Sequence, residues 1–279
     1  MEAYKLLMDY DIKELNEKAK GLRRDVLKMV YCAKSGHLGG SLSIIEILVA
    51  LYYVAMNIDP NNPKWEDRDR FILSKGHTAP ALYAVLADKG YFEKEQLFTN
   101  YRKINSILQG HPDMKKTPGV DMTSGSLGMG LSAACGIAWG AKLLNKDYYV
   151  HVVIGDGETN EGQIWEAAMT ATHHRLENII AFVDLNGMQN DGFTKDIMRM
   201  ENMAKRWDAF GWNVIEVNGH DIQQILDAIY SAKKVIGKPS VIICHTVKGK
   251  GISYMENSPD FHGGCPSAEQ YECAVLELE

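Results

Sequence analysis

Two short apolar runs, Y-Y-V-H-V-V-I at residues 148–154 and I-I-A-F-V at 179–183, each stop at an acidic turn. Runs that are apolar on both faces and rich in β-branched residues read as strands of a parallel sheet covered by helices on each side. Between them lies one helix's worth of residues, 161–173, with Ile164, Ala168 and Ala171 on one face at i, i+4 and i+7. A strand–helix–strand crossover returns both strand ends to the same edge of the sheet. Asp156 and Asn186, just past those ends, are therefore expected to meet.

That meeting carries the chemistry. In an open α/β sheet, ligands bind outside the carboxyl ends of the strands. One charged and one neutral oxygen donor suit Mg²⁺ or Ca²⁺, and two side chains leave coordination positions open for water and for phosphate oxygens. A bound diphosphate completes such a site. Gly155 and Gly157 flank the aspartate and let backbone approach a phosphate, while the following helix offers unpaired N–H groups. A lone G-D-G is an ordinary turn. Its pairing with D-L-N after the next strand makes it far more specific.

Alternation of strands and helices continues along the chain and predicts an α/β fold, a doubly wound, mostly parallel sheet flanked by helices. Strands are expected at 71–73, 212–217 and 240–247 besides the central two. Helices are expected at 11–33, with Gly21 as a weak point, at 43–54, from about Pro80, at 222–235 and at 267–278. With 279 residues the chain reads as one domain with an N-terminal helical arm over 1–35. Its net charge of −6 and lack of a Lys/Arg block argue against a nucleic-acid surface. No run approaches the ~18 apolar residues of a membrane span. The opening M-E-A-Y-K-L-L-M-D-Y has no signal-peptide pattern, so a cytoplasmic location is expected. Five cysteines without C-x-x-C spacing fit a reducing compartment.

Three histidines fall at junctions between these elements. His37 lies in S-G-H-L-G-G-S, His77 in S-K-G-H after a short strand, and His111 in Q-G-H-P-D. Each taken singly reads as a polar turn with an incidental imidazole. After His111, Gly125, Gly128 and Gly130 precede a helix rich in Ala and Gly, which reads by itself as close helix packing. Lys248 and His262 sit in a loop beyond the last strand.

The G-D-G and D-L-N pair resembles the signature of thiamine diphosphate enzymes. Together S-G-H, K-G-H, G-H-P, G-S-L-G-M-G, G-D-G-E-T-N-E-G, D-L-N-G-M, V-K-G-K-G-I and F-H-G occur in the order found in transketolase, over nearly the whole chain. The resemblance is to the N-terminal, diphosphate-binding half of that enzyme. It implies a thiamine diphosphate-binding fold and a Mg²⁺ ion, with Ca²⁺ or Mn²⁺ as alternatives, held by Asp156, Asn186 and the Met188 carbonyl. It implies that His37, His111 and His262 line the sugar channel, and that His77, Gly125, Ser126, Leu127, Gly157, Glu161, Asn186, Lys248 and His262 belong to the cofactor site. Glu161 matches a glutamate that is buried near a subunit interface and belongs to a proton network between active sites.

The pyrimidine-binding and C-terminal domains of the family have no counterpart in these residues. The resemblance therefore implies the N-terminal subunit of a split transketolase, moving a two-carbon ketol unit from a ketose phosphate to an aldose phosphate. Its implied partners are a separate C-terminal subunit carrying the pyrimidine-binding domain and a second copy of itself, in an α2β2 assembly. Two other readings stay open: the α subunit of a 2-oxo acid dehydrogenase, and a non-catalytic partner that binds the cofactor. Several channel histidines suit the handling of sugar hydroxyls better than an oxidative decarboxylation.

Overall fold

The computed structural model describes residues 10–279. Five strands form one sheet: β1 (Arg70–Leu73), β2 (Val150–Gly155), β3 (Ile179–Leu185), β4 (Asn213–Asn218) and β5 (Ser240–His245). Their order is β1-β2-β3-β5-β4 and every pairing is parallel. The central pair aligns Val150 with Ile179 and Gly155 with Asp184, so the two acidic turns leave the sheet side by side.

Side chains alternate between the two faces of each strand. Leu73, Val153, Phe182, Ile242 and Cys244 pack on one face, under α1 (Ile12–Ala33), α2 (Ile45–Ala50), α3 (Ala79–Asp88) and α7 (Ile222–Ala232). Ile72, Val152, Ile154, Ala181, Val183 and Ile243 pack on the other, under α4 (Met129–Leu143), α5 (Gly162–His173) and α6 (Met203–Ala209). Both faces are therefore covered, which is why the strands read as continuous apolar runs. Each fully buried Val, Leu, Ile or Phe contributes about 1.5–3 kcal/mol relative to exposure.

Several expected boundaries shift, for local reasons. Trp212, expected in a strand, sits just before β4, buried, with its indole N–H donating to the Ala168 carbonyl at 3.1 Å. Thr246 and Val247, expected in the last strand, lie past the end of β5, although the Thr246 N–H still donates to the Leu185 carbonyl of β3 at 3.2 Å. The loop expected over 35–43 winds into a helical turn at Gly39–Leu42, and the helix expected over 43–54 is α2 followed by a π-turn at Leu51–Ala55. The final helix, α8 (Ala268–Glu277), starts at a capping box in which Ser267 and Gln270 satisfy each other's backbone N–H groups.

The expected N-terminal arm spans 1–35, and its first nine residues, with most of the opening segment, lie outside the described residues. Its helical part, α1, is capped by Asp11 and buries Leu15, Ala19, Leu22, Val26 and Val30 against the core. Cys135 and Cys244 are buried and Cys32 and Cys273 exposed, all of them free thiols. Among the described residues no helix is long and apolar enough to cross a membrane.

Candidate active site

Four strands each hand one segment to the same place. β1 runs into Ser74, Lys75 and His77; β2 into Gly155, Asp156 and Gly157; β3 into Asn186 and Met188; β5 into Lys248. With His37 and His262 they surround a cavity of about 420 Å³. A larger, more apolar cleft of about 560 Å³ lies elsewhere, beside Met56, Leu226 and Ile229, and none of the residues expected at the site lines it.

Asp156 is 1% exposed. One carboxylate oxygen accepts the Gly157 N–H at 2.8 Å, and the other accepts the Gly187 N–H at 2.7 Å, on the turn that carries Asn186. The Asn186 amide N–H donates to Asp184 at 2.7 Å, which fixes its flip, and its oxygen accepts the Met188 N–H at 3.1 Å; Asn186 lines the cavity. Burial, with the charge of Asp184, pushes the Asp156 carboxyl up to about 7, against the pull of the two N–H groups and Lys75. A buried carboxylate this costly to ionise is well matched to a cation. No cluster of three or more His, Cys, Asp or Glu side chains suited to a metal occurs among the described residues. One carboxylate and one amide oxygen beside open space fit a hard ion completed by water and diphosphate oxygens.

Behind these two side chains sits a buried charge pair. Asp184 is fully buried, and although burial would raise its carboxyl, the Lys75 ammonium 2.5 Å away holds it below the usual carboxylate range, helped by the Thr246 and Ser43 hydroxyls. Lys75 also donates to the Gly40 carbonyl at 3.1 Å.

The imidazoles of His37, His77 and His262 form a triangle with ring centroids 5.2–5.5 Å apart. Burial lowers all three, His77 to about 2 with help from Lys75, His37 to about 4 with help from Arg102, and His262 to about 4 with help from Lys248. They are neutral at neutral pH, so each ring offers one donor and one acceptor. Lys248, 2% exposed, is itself lowered to about 8 by burial and by Lys75, and its ammonium lies 2.8 Å from His262 Nδ1. His111 is exposed and stands outside the cavity lining, against Gly125. Burial and Arg102 lower it too.

The sequence profile described as "Transketolase, thiamine diphosphate binding domain" matches residues 15–275. The chain belongs to the transketolase family. It is 47% identical to "6-deoxy-6-sulfo-D-fructose transketolase subunit SqwG" of Clostridium sp. (strain MSTE9), covering 95% of this chain and 96% of that one. It is 43% identical to an apulose-4-phosphate transketolase subunit of Phocaeicola vulgatus, covering 96% and 94%. Among solved structures, Campylobacter jejuni transketolase superposes with a TM-score of 0.90 at 34% identity, and the Pichia stipitis enzyme in complex with sedoheptulose 7-phosphate with 0.89 at 33%. The chain spans 43% and 40% of those longer proteins.

The glycine loop expected in a transketolase lies beside the cavity, with Gly125 and Leu127 lining it and Ser126 exposed just outside. Gly128 has φ +87°, a left-handed conformation open to glycine, and a Cβ on Gly130 would come within 2.3 Å of the Ser74 hydroxyl. Glu161, expected to be buried near a subunit interface, lines the cavity beside Gly128 and is exposed in the single chain. Lys75, Asp184 and Glu158 stand inside the K-G-H, D-L-N and G-D-G-E motifs, yet sequence reasoning assigns them no role. Glu158 is 3% exposed and accepts from the Gly128 N–H at 2.8 Å, the Gly155 N–H at 3.0 Å and the Ser74 hydroxyl. It clasps the glycine loop to the aspartate turn. The sequence carries a signal for it: an acidic residue directly after a phosphate-type turn.

Proposed function

We propose that this chain is the N-terminal subunit of a two-chain transketolase that moves a two-carbon ketol unit from a ketose phosphate to an aldose phosphate. The observation that carries the reading is that Asp156 and Asn186 line one cavity with three neutral imidazoles, in a chain similar end to end to relatives named as transketolase subunits. Asp156 and Asn186, with the Met188 carbonyl, hold Mg²⁺, and Gly157, His77 and Lys248 hold the diphosphate. Bound thiamine diphosphate supplies the carbanion chemistry. His37, His111 and His262 orient the sugar and exchange protons with its hydroxyls, a task suited to imidazoles that are neutral at working pH. A separate subunit with the pyrimidine-binding domain closes the cavity, in an α2β2 assembly in the cytoplasm. The pentose phosphate pathway is the default setting for such a transfer; the relatives named for sulfofructose and apulose 4-phosphate favour a specialised sugar in its place.

The test is reconstitution with the partner subunit, thiamine diphosphate and Mg²⁺, assayed side by side for ketol transfer and for 2-oxo acid decarboxylation. Ketol transfer is the expected outcome. Decarboxylation alone would assign the chain to the 2-oxo acid dehydrogenases, and cofactor uptake without turnover would leave a binding partner. His262→Ala should lower turnover more than cofactor affinity.

A further inference from the structure

Lys248 and His262 are close enough to fix each other's chemistry. The Lys248 side chain passes Gly39, where a Cβ would come within 3.0 Å of its Cγ, and its ammonium donates to the Gln189 carbonyl at 3.0 Å. A second N–H faces His262 Nδ1 at 2.8 Å. An ammonium has three donors and no acceptor, whereas a neutral imidazole has one of each. Nδ1 must then accept, and the single ring proton is left to Nε2. That nitrogen makes no hydrogen bond among the described residues, and His262 lines the cavity. Neither His37 nor His77, the other two rings of the triangle, makes a side-chain hydrogen bond among the described residues that would select its tautomer.

We propose that Lys248 is a positioning residue that locks His262 as its Nε2–H tautomer, so that His262 donates a hydrogen bond to a substrate oxygen and leaves proton acceptance to His37, whose tautomer no side-chain hydrogen bond selects. The assignment of a sugar oxygen as the acceptor rests on the ketol-transfer reading; the tautomer itself does not. It divides the imidazoles by role: one fixed donor, and His37 free to accept.

The protein contains its own reference of opposite sense. His220 Nε2 accepts the Val247 N–H at 2.8 Å, and a backbone N–H can only donate, so the His220 proton sits on Nδ1, facing Glu46 at 3.0 Å. Two histidines joined to adjacent residues of one loop are thus held in opposite tautomers.

The experiment is long-range proton–nitrogen correlation on the full chain with isotope-labelled histidine rings at neutral pH, with His262→Gln and His220→Gln to assign the signals. His262 protonated at Nε2 and His220 protonated at Nδ1 is the expected result. In Lys248→Met the His262 signals should shift to a tautomer mixture while those of His220 stay put, showing that the fold survives; Lys248→Arg, which keeps the donors, should restore Nε2–H. A wild-type His262 protonated at Nδ1 or at both nitrogens overturns the proposal, as does a His262 spectrum indifferent to Lys248→Met. If Lys248→Met fails to fold, the wild-type spectrum still decides. Failure of ketol transfer in the reconstituted enzyme, with the Nε2–H signal present, would sink the functional reading and leave the tautomer lock standing.

Discussion

At the scale of single residues, the site separates groups that bind from groups that hold the binders in place. Asp156 belongs to the first kind and Lys75 to the second, and two substitutions should tell them apart. Thiamine diphosphate plus Mg²⁺ is expected to raise the melting temperature of the unaltered chain, and Asp156→Ala is expected to fold but to lose that rise. Lys75→Met leaves the fully buried Asp184 without its ammonium, and stripping one partner from a buried ion pair costs about 3–5 kcal/mol. Its urea midpoint should fall even without cofactor, whereas an unaffected midpoint would mean that Asp184 is neutral. The difference also marks how far residues are legible. Asp156 and Asn186, the proposed ligands, stand out because a metal site needs particular oxygens at particular strand ends. Lys75, Asp184 and Glu158 do not, because a supporting contact depends on which distant loop arrives opposite, and sequence spacing does not show that.

At the scale of elements, the strands and their burial are readable from apolar runs, and the departures fall at ends. Trp212 resembles a strand residue because it is large and apolar; its indole N–H instead finds a carbonyl on α5, and the strand begins one residue later. The composition of α4, rich in Ala and Gly, suggests close packing throughout. Its glycines divide instead: Gly130 abuts Ser74, whereas a Cβ on Gly136 or Gly140 would meet nothing within 4 Å. Glycines at helical positions are therefore not equivalent. Gly21, inside α1 with only the tip of Arg24 3.8 Å away, has room for a methyl group, and Gly21→Ala should stabilise the chain by roughly 0.5–1 kcal/mol. Gly130→Ala should destabilise it and weaken cofactor binding, since the Ser74–Glu158 clasp must move. Chemical denaturation of the pair checks both signs.

At the scale of the whole molecule, stability should carry the imprint of its buried imidazoles. The folded values of His37, His77 and His262 lie below the ordinary value of 6.5, and burial lowers the fully enclosed His151 as well. The unfolded chain then binds protons first as the solution is acidified, so these groups contribute stability above about pH 6.5 that is lost progressively as pH falls toward about 4. The lysines on either side, Lys75 and Lys248, reinforce this by opposing a positive ring. Asp156, whose carboxyl is raised to about 7, works in the opposite sense, so the decline is read in Asp156→Asn, where melting temperature measured from pH 7.5 down to pH 4.5 should fall. A flat profile would mean that the triangle is open to water or already charged.

Because β1, β2, β3 and β5 each deliver one wall, the docking place is assembled from stretches as far apart as Lys75 and Lys248. No contiguous fragment holds it, and none of its parts can be sampled before the crossovers are complete. Coenzyme uptake is thus a readout of finished topology: a chain arrested before β5 should fail to capture the ligand, because the wall carrying Lys248 is absent.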